Sequence, residues 1–139
     1  MTMSSRIAKA FRYIFYKQMR IADALSPTKE GSEWVAALVL ATLLLGNLET
    51  LFPVLAIVIG KEVGTLGHWG TLTTQIAFVI LNYWFFIRHG RHKRIREEFK
   101  NEQPLQRRLG YIYAAIYIFG TLFLFMWANI IRLFMTVGK

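Results

Sequence analysis

The sequence predicts an all-α membrane protein, and two observations carry that prediction. Three nearly uncharged apolar runs, Trp34 to Gly60, Leu72 to Ile87 and Tyr111 to about Val137, are each of spanning length. A hydrocarbon core about 30 Å thick needs about 20 helical residues at about 1.5 Å per residue. The composition agrees: 55% of the 139 residues are hydrophobic and 15% aromatic, more apolar surface than a soluble chain this short can bury. The absence of cysteine removes disulfides, thiolate nucleophiles and cysteine-based metal sites. No cleavable signal peptide is expected, because the first long apolar run begins only near Trp34 and no small-residue cleavage site follows a short apolar core.

Residues 1–29 read as a separate amphipathic basic helix. Ile7, Phe11, Ile14, Phe15 and Met19 recur at helical spacing, with Arg6, Lys9, Arg12, Lys17 and Arg20 interleaved. Such a helix either lies on an anionic leaflet as an interfacial anchor or packs on neighbouring subunits and transmits a signal. Ser26-Pro27 ends it. Residues 30–139 form the transmembrane domain, with spans predicted at about 34–60, 71–88 and 110–136. Ser32 and Glu33 open the first, which runs to about Phe52 and then continues kinked or broken past Pro53, or re-enters. The second span is short and borrows Thr71 and Arg88 at its ends. Residues 88–109 form a basic hairpin: the second helix continues through Arg94 to Lys100, with Glu97 and Lys100, and Glu98 and Glu102, at turn spacing. Gly90 is a flex point, Gln103-Pro104 makes the turn, and Leu105 starts the third helix.

Orientation follows from the basic residues. Six precede the first span (Arg6, Lys9, Arg12, Lys17, Arg20, Lys29) and eight fill the hairpin (Arg88, Arg91, Lys93, Arg94, Arg96, Lys100, Arg107, Arg108), against Lys61, Arg132 and Lys139 elsewhere. The positive-inside rule then makes the N-terminus and hairpin cytoplasmic and the C-terminus external.

No catalytic site can be assembled from these residues. His89 and His92 share a helix face, but no third ligand lies at a useful spacing and five positive charges crowd the pair; His68 stands alone in the short external loop. Neither a metal nor a cofactor is expected. Two other constellations are candidates. Polar groups at membrane depth are costly, which singles out Asn47, Glu49, Gln75, Asn129 and Arg132 as a polar layer or pore lining. Glu49 is either a neutral or interfacial carboxyl or, repeated by symmetry, an acidic ring that favours cations. Arg132 either snorkels to the outer interface or pairs with Glu49. The second constellation is Arg91, His92, Lys93, Arg94, Arg96, Arg107 and Arg108, either a topology signal or a site for an anionic headgroup or nucleic-acid strand. Tyr83 to Phe86 and Trp34 form an aromatic belt; Gly46 and Gly120 permit close helix contact.

The stretches Phe11-Arg-Tyr-Ile-Phe-Tyr-Lys17, Leu45-Gly-Asn-Leu48, Asn82-Tyr-Trp-Phe-Phe86 and Lys93-Arg-Ile-Arg-Glu-Glu-Phe-Lys-Asn-Glu102 cover a pattern that resembles a family of small multi-pass bacterial inner-membrane proteins, mostly of unknown function. The pattern is also similar to the transmembrane effector of the Hailong antiphage defence system. That resemblance implies an oligomeric ion channel that depolarises the cell, held closed by a nucleic-acid oligomer or nucleotide ligand made by a partner nucleotidyltransferase. Three thin spans leave little room for a conducting path in one protomer, so a symmetric homo-oligomer is expected, four subunits first. The alternative is a non-conducting membrane-anchor subunit that recruits a soluble partner through the hairpin. A small transporter would need repeated broken spans, which the sequence lacks.

Overall fold

A computed structural model describes residues 2–28, 30–61 and 64–137; Lys29 and Lys139 of the charge count lie outside them. Over the described residues the chain is all-α, as the run lengths predict. Three of its helices are long and apolar enough to cross a membrane.

Helix α1 (Met3–Leu25) is the amphipathic basic segment. Its inner face packs on the chain's own bundle, with Phe15 and Met19 fully buried. Helix α2 (Ser32–Ile59) starts after Gly31, whose positive φ of 73° turns the chain so that its carbonyl accepts the amides of Trp34 and Val35. Gly60 (φ 68°) closes it in the left-handed conformation, its N–H on the Ala56 carbonyl at 2.9 Å. Contrary to a broken continuation, α2 stays helical through Pro53. The proline ring is buried and removes only the donor for the Glu49 carbonyl, one hydrogen bond among many.

Helix α3 (Gly67–Asn82) does not run on unbroken into the hairpin. It passes into a π turn, Tyr83–Ile87, and then a short 3-10 segment, Arg88–Gly90, in which His89 (φ 57°) and Gly90 (φ 69°) are left-handed. The reason lies in what must point inward. Asn82 and Ile87 are both buried five residues apart, a spacing that one π turn brings onto a single face and an α-helix does not. Asn82 Nδ2 donates to the Ala37 carbonyl (3.2 Å), and Phe86 stacks on Phe15 with ring centroids 4.5 Å apart. Arg91 Nη1 donates to the Trp84 and Phe85 carbonyls at 3.3 and 3.4 Å, covering backbone groups beside the break.

Helix α4 (Arg91–Phe99) buries Ile95 and Phe99. Helix α5 (Pro104–Val137) begins one residue before the expected Leu105, with proline at the first helical position, where its missing N–H has no helical partner to lose. Its 34 residues rise about 51 Å, so its first turns project beyond a bilayer core about 30 Å thick. The hydrophobic core sits at the end of the bundle formed by α1, the first half of α2, the π turn and α4, and includes Phe15, Met19, Leu40, Phe86 and Phe99. Large apolar side chains such as Leu51, Ile76, Phe119, Phe123 and Leu133 face outward, as lipid or a neighbouring copy requires.

Candidate functional site

The polar residues of the spans do not scatter; they pair across helices as a series of rungs along α2. Nearest the basic end is the Asn82–Ala37 bond. Next, Gln75 Nε2 donates to Thr42 Oγ1 (3.1 Å), whose hydroxyl donates back to the Leu38 carbonyl (2.9 Å). Further along, Asn47 joins α2 to α5, donating from Nδ2 to Tyr117 Oη (3.0 Å) and accepting from Thr121 Oγ1 at Oδ1 (3.3 Å). Finally Glu49 Oε1 accepts from Thr71 Oγ1 at 2.7 Å. From Ala37 to Glu49 this seam climbs about 18 Å. It opens at the far end on a cavity of about 320 Å³ lined by Glu49, Pro53, His68, Thr71, Asn129 and Arg132.

Of the predicted polar layer, then, Glu49, Asn129 and Arg132 meet at one cavity, while Asn47 and Gln75 hold separate rungs below it. Asn129 spends its amide on the Phe125 carbonyl of its own helix (2.7 Å) and its residue is exposed on the bundle surface. The Gln75 carbonyl oxygen is buried without a partner. Thr42, Thr71, Asn82, Tyr117 and Thr121 escaped the sequence reading. For all but Asn82, which meets a backbone carbonyl, the signal was a polar side chain opposite an amide or carboxyl side chain at matching depth on a neighbouring helix. Gly46 faces α5, where a Cβ would lie in ordinary contact 3.5 Å from Thr121 Cγ2, so the approach does not require glycine; Gly120 meets nothing.

At the basic end, α1 clasps the hairpin through three long-range ion pairs. Arg12 forms a bidentate pair with Glu98 at 3.0 and 3.1 Å. Arg96 forms another with Asp23 at 2.7 and 3.2 Å and also donates to Ser32 Oγ at 2.6 Å. Those bonds from Arg96 hold the Asp23 carboxyl below its usual range, against burial, which pushes the other way. The third pair, Lys17 Nζ to Glu102 Oε2 at 2.7 Å, is buried, with side chains only 1% and 6% exposed. The ammonium also lies 5.1, 5.4 and 4.6 Å from the ring centroids of Tyr13, Tyr16 and Tyr111. Burial, and then the neighbouring Glu102 carboxylate, raises the Tyr13 hydroxyl well above its ordinary value; burial raises Tyr16 as well. Tyr13 donates to the Gln106 carbonyl (3.2 Å), closing α1 on α5.

This arrangement divides the predicted anion-binding residues. Arg96 is committed to Asp23, and Arg91 to backbone carbonyls. His92 has its Nδ1 buried without a hydrogen bond. Lys93 and Arg94 on α4 and Arg107 and Arg108 on α5 are exposed and remain available to an anion. Lys100 pairs with Glu97 as the turn spacing predicts, while Glu98 and Glu102, like charges that would repel at that spacing, each reach a base on α1. Among the described residues no cluster of three or more His, Asp or Glu side chains could hold a metal.

These features define an all-α membrane protein with three apolar spans, a polar seam between them and a basic cap clasped by its N-terminal helix. The chain matches no protein-family model, no curated protein and no solved structure.

Proposed function

We propose that the chain is one subunit of a homo-oligomeric channel or pore-type effector of the bacterial inner membrane, gated at its basic end by an anionic ligand. In this reading the N-terminus and hairpin are cytoplasmic and the C-terminus external. The observation that supports it most is the seam of polar rungs ending at the Glu49 cavity. Hydrogen-bonded groups are tolerated at membrane depth, but exposed ones are costly in lipid. Asn129 and Thr42 are exposed on the single chain. A symmetric assembly, four copies in the first arrangement to test, covers such groups and brings the Glu49 carboxylates round a common axis, where they favour cations. The exposed Lys93, Arg107 and Arg108 supply the charge for a polyanion such as an oligonucleotide made by a partner nucleotidyltransferase.

The decisive experiment is ion flux from liposomes containing the full chain, with Glu49→Gln beside it. The parent is expected to conduct, and the variant to assemble equally but lose cation flux or cation preference. A parent that conducts nothing would leave a non-conducting anchor subunit that recruits a soluble partner through its hairpin. A parent that conducts with unchanged selectivity in Glu49→Gln would take that residue out of the path. Orientation is read separately, by a reporter near Asn101 that should be cytoplasmic and one at the C-terminus that should be external.

A further inference from the structure

A second groove, of about 620 Å³, opens on the side of the bundle between α1, α2, the end of α3 and α4. Its walls are apolar and reach to membrane depth: Phe11, Leu44, Phe78, Leu81 and Phe85. Its rim is charged, carrying Arg12, Arg91, Arg94 and Glu98. Arg12 is neutralised by Glu98, so the rim keeps the positive charge of Arg91 and Arg94. Arg91 hydrogen-bonds only carbonyl groups, which leave its charge uncompensated, and Arg94 is exposed and forms no ion pair among the described residues, Glu98 being taken by Arg12.

We propose that this groove is a binding site for an anionic glycerophospholipid of the leaflet on the basic side, its phosphate between Arg91 and Arg94 and an acyl chain along Phe85, Leu81 and Phe78. Three features select this occupant. From Phe78 to Arg88 the chain rises roughly 15 Å, which is half of a hydrocarbon core of about 30 Å and so the depth of one leaflet. Charge at one end and carbon walls along the rest match an amphiphile, whereas a nucleic-acid strand carries a phosphate on every residue and would leave its charges against Phe78 and Leu81. The π turn supplies the third. It is followed by the left-handed pair His89 and Gly90, which redirects the chain so that Arg91 and Arg94 line the same groove as Phe78, Leu81 and Phe85. A phosphate there gains charge-assisted hydrogen bonds that a zwitterionic lipid, with its own ammonium, competes for less well.

The test uses the full chain in phosphatidylcholine nanodiscs, with energy transfer from its tryptophans to dansyl-labelled phosphatidylglycerol and dansyl-labelled phosphatidylcholine as the two probes. Phosphatidylglycerol should be enriched at the protein over phosphatidylcholine. Arg94→Gln should cut that enrichment about fivefold, roughly the worth of one basic residue near an anionic surface. Lys93→Gln, an exposed neighbour outside the groove, should cost clearly less than Arg94→Gln. Excess glycerol 3-phosphate, the headgroup chemistry without its chains, should not displace the probe, and neither should a short single-stranded oligonucleotide. Equal enrichment of the two lipids, equal loss in Arg94→Gln and Lys93→Gln, or displacement by glycerol phosphate or the oligonucleotide would each overturn the site.

Discussion

Replacing Lys17 tests whether the clasp between α1 and the hairpin depends on its buried ion pair. Lys17→Met keeps the apolar stem and removes the charge, leaving the Glu102 carboxylate 6% exposed with its Oε1 already lacking a hydrogen bond. Leaving one buried charge uncompensated costs about 3–5 kcal/mol. Three cation–π contacts, each worth about 0.5–2 kcal/mol, disappear with it. The double variant Lys17→Met with Glu102→Leu removes both charges, and such apolar replacements are close to neutral, within about 1–2 kcal/mol. The two substitutions should therefore be strongly non-additive, with a coupling of about 2 kcal/mol or more. Because the chain has no cysteine, Ala22→Cys on the buried face of α1 gives a clean probe. A water-soluble maleimide should label it slowly in the parent and roughly 100-fold faster in Lys17→Met, the factor expected from about 3 kcal/mol of easier local opening. The double variant, within about 1–2 kcal/mol of the parent, should label no more than roughly 5–30-fold faster. Equal acceleration in single and double variants, or none in Lys17→Met, would refute the claim that the pair holds α1 in place.

The same probe reads the other consequences of the clasp. Gly110→Ala should loosen α1 by about 1–3 kcal/mol, because a Cβ there would run into Tyr13 Oη and Lys17 Cε and stand 2.8 Å from Tyr13 Cζ, while Gly46→Ala, in ordinary contact range, should change little. Asp23 has a lowered pKa in the folded chain, so its contribution is full above the ordinary value of 3.8 and is lost as pH falls through the folded value; the chain should unfold more readily in SDS titration on the acid side. Tyr13 and Tyr16 have raised values, so their contribution is full below the ordinary 10.0 and is lost as pH rises beyond it, giving an alkaline release that Tyr13→Phe should blunt. His89→Gly should stabilise the chain towards SDS titration in mixed micelles by about 1 kcal/mol, since a Cβ-bearing residue at φ 57° carries a penalty that glycine escapes.

The sequence made the spans legible because the two signals that define them, run length and charge segregation, are local. Apart from Gly60, which caps α2, Trp34 to Gly60, Leu72 to Ile87 and Tyr111 to Val137 fall inside the helical segments that the chain forms, and Asn47, Glu49 and Gln75 stood out because a polar side chain in an apolar run is itself local information. The partners of those residues were not legible in the same way. That Asn47 meets Tyr117 and Thr121 depends on how α5 is rotated about its axis, which is set by packing between helices and not by any local pattern. The break after α3 was half visible: Gly90 marks the place, but the π turn follows from burying Asn82 and Ile87 together, a demand that arises only once α1 and α2 are present.

Lys17 shows where periodicity misleads. Interleaved with Arg12 and Arg20, it reads as part of a solvated basic face, because a helix wheel assigns every lysine to water. The compensation that lets it be buried is Glu102, 85 residues away, together with Tyr111 on another helix. An amphipathic pattern reports average hydrophobicity around a helix; it has no term for a charge whose counterion arrives from elsewhere in the chain. What the sequence does contain is the complementary set: Arg12, Lys17 and Asp23 on α1 against Glu98, Glu102 and Arg96 at the hairpin, acid opposite base in each pair. A helix that merely lay on a membrane would not need Asp23 or a matched set of acids on the hairpin, since an anionic leaflet attracts unpaired basic residues and repels acidic ones. The matched charges therefore argue that α1 belongs to the bundle, and that a ligand pulling on the exposed arginines of α4 would pull on α1 as well.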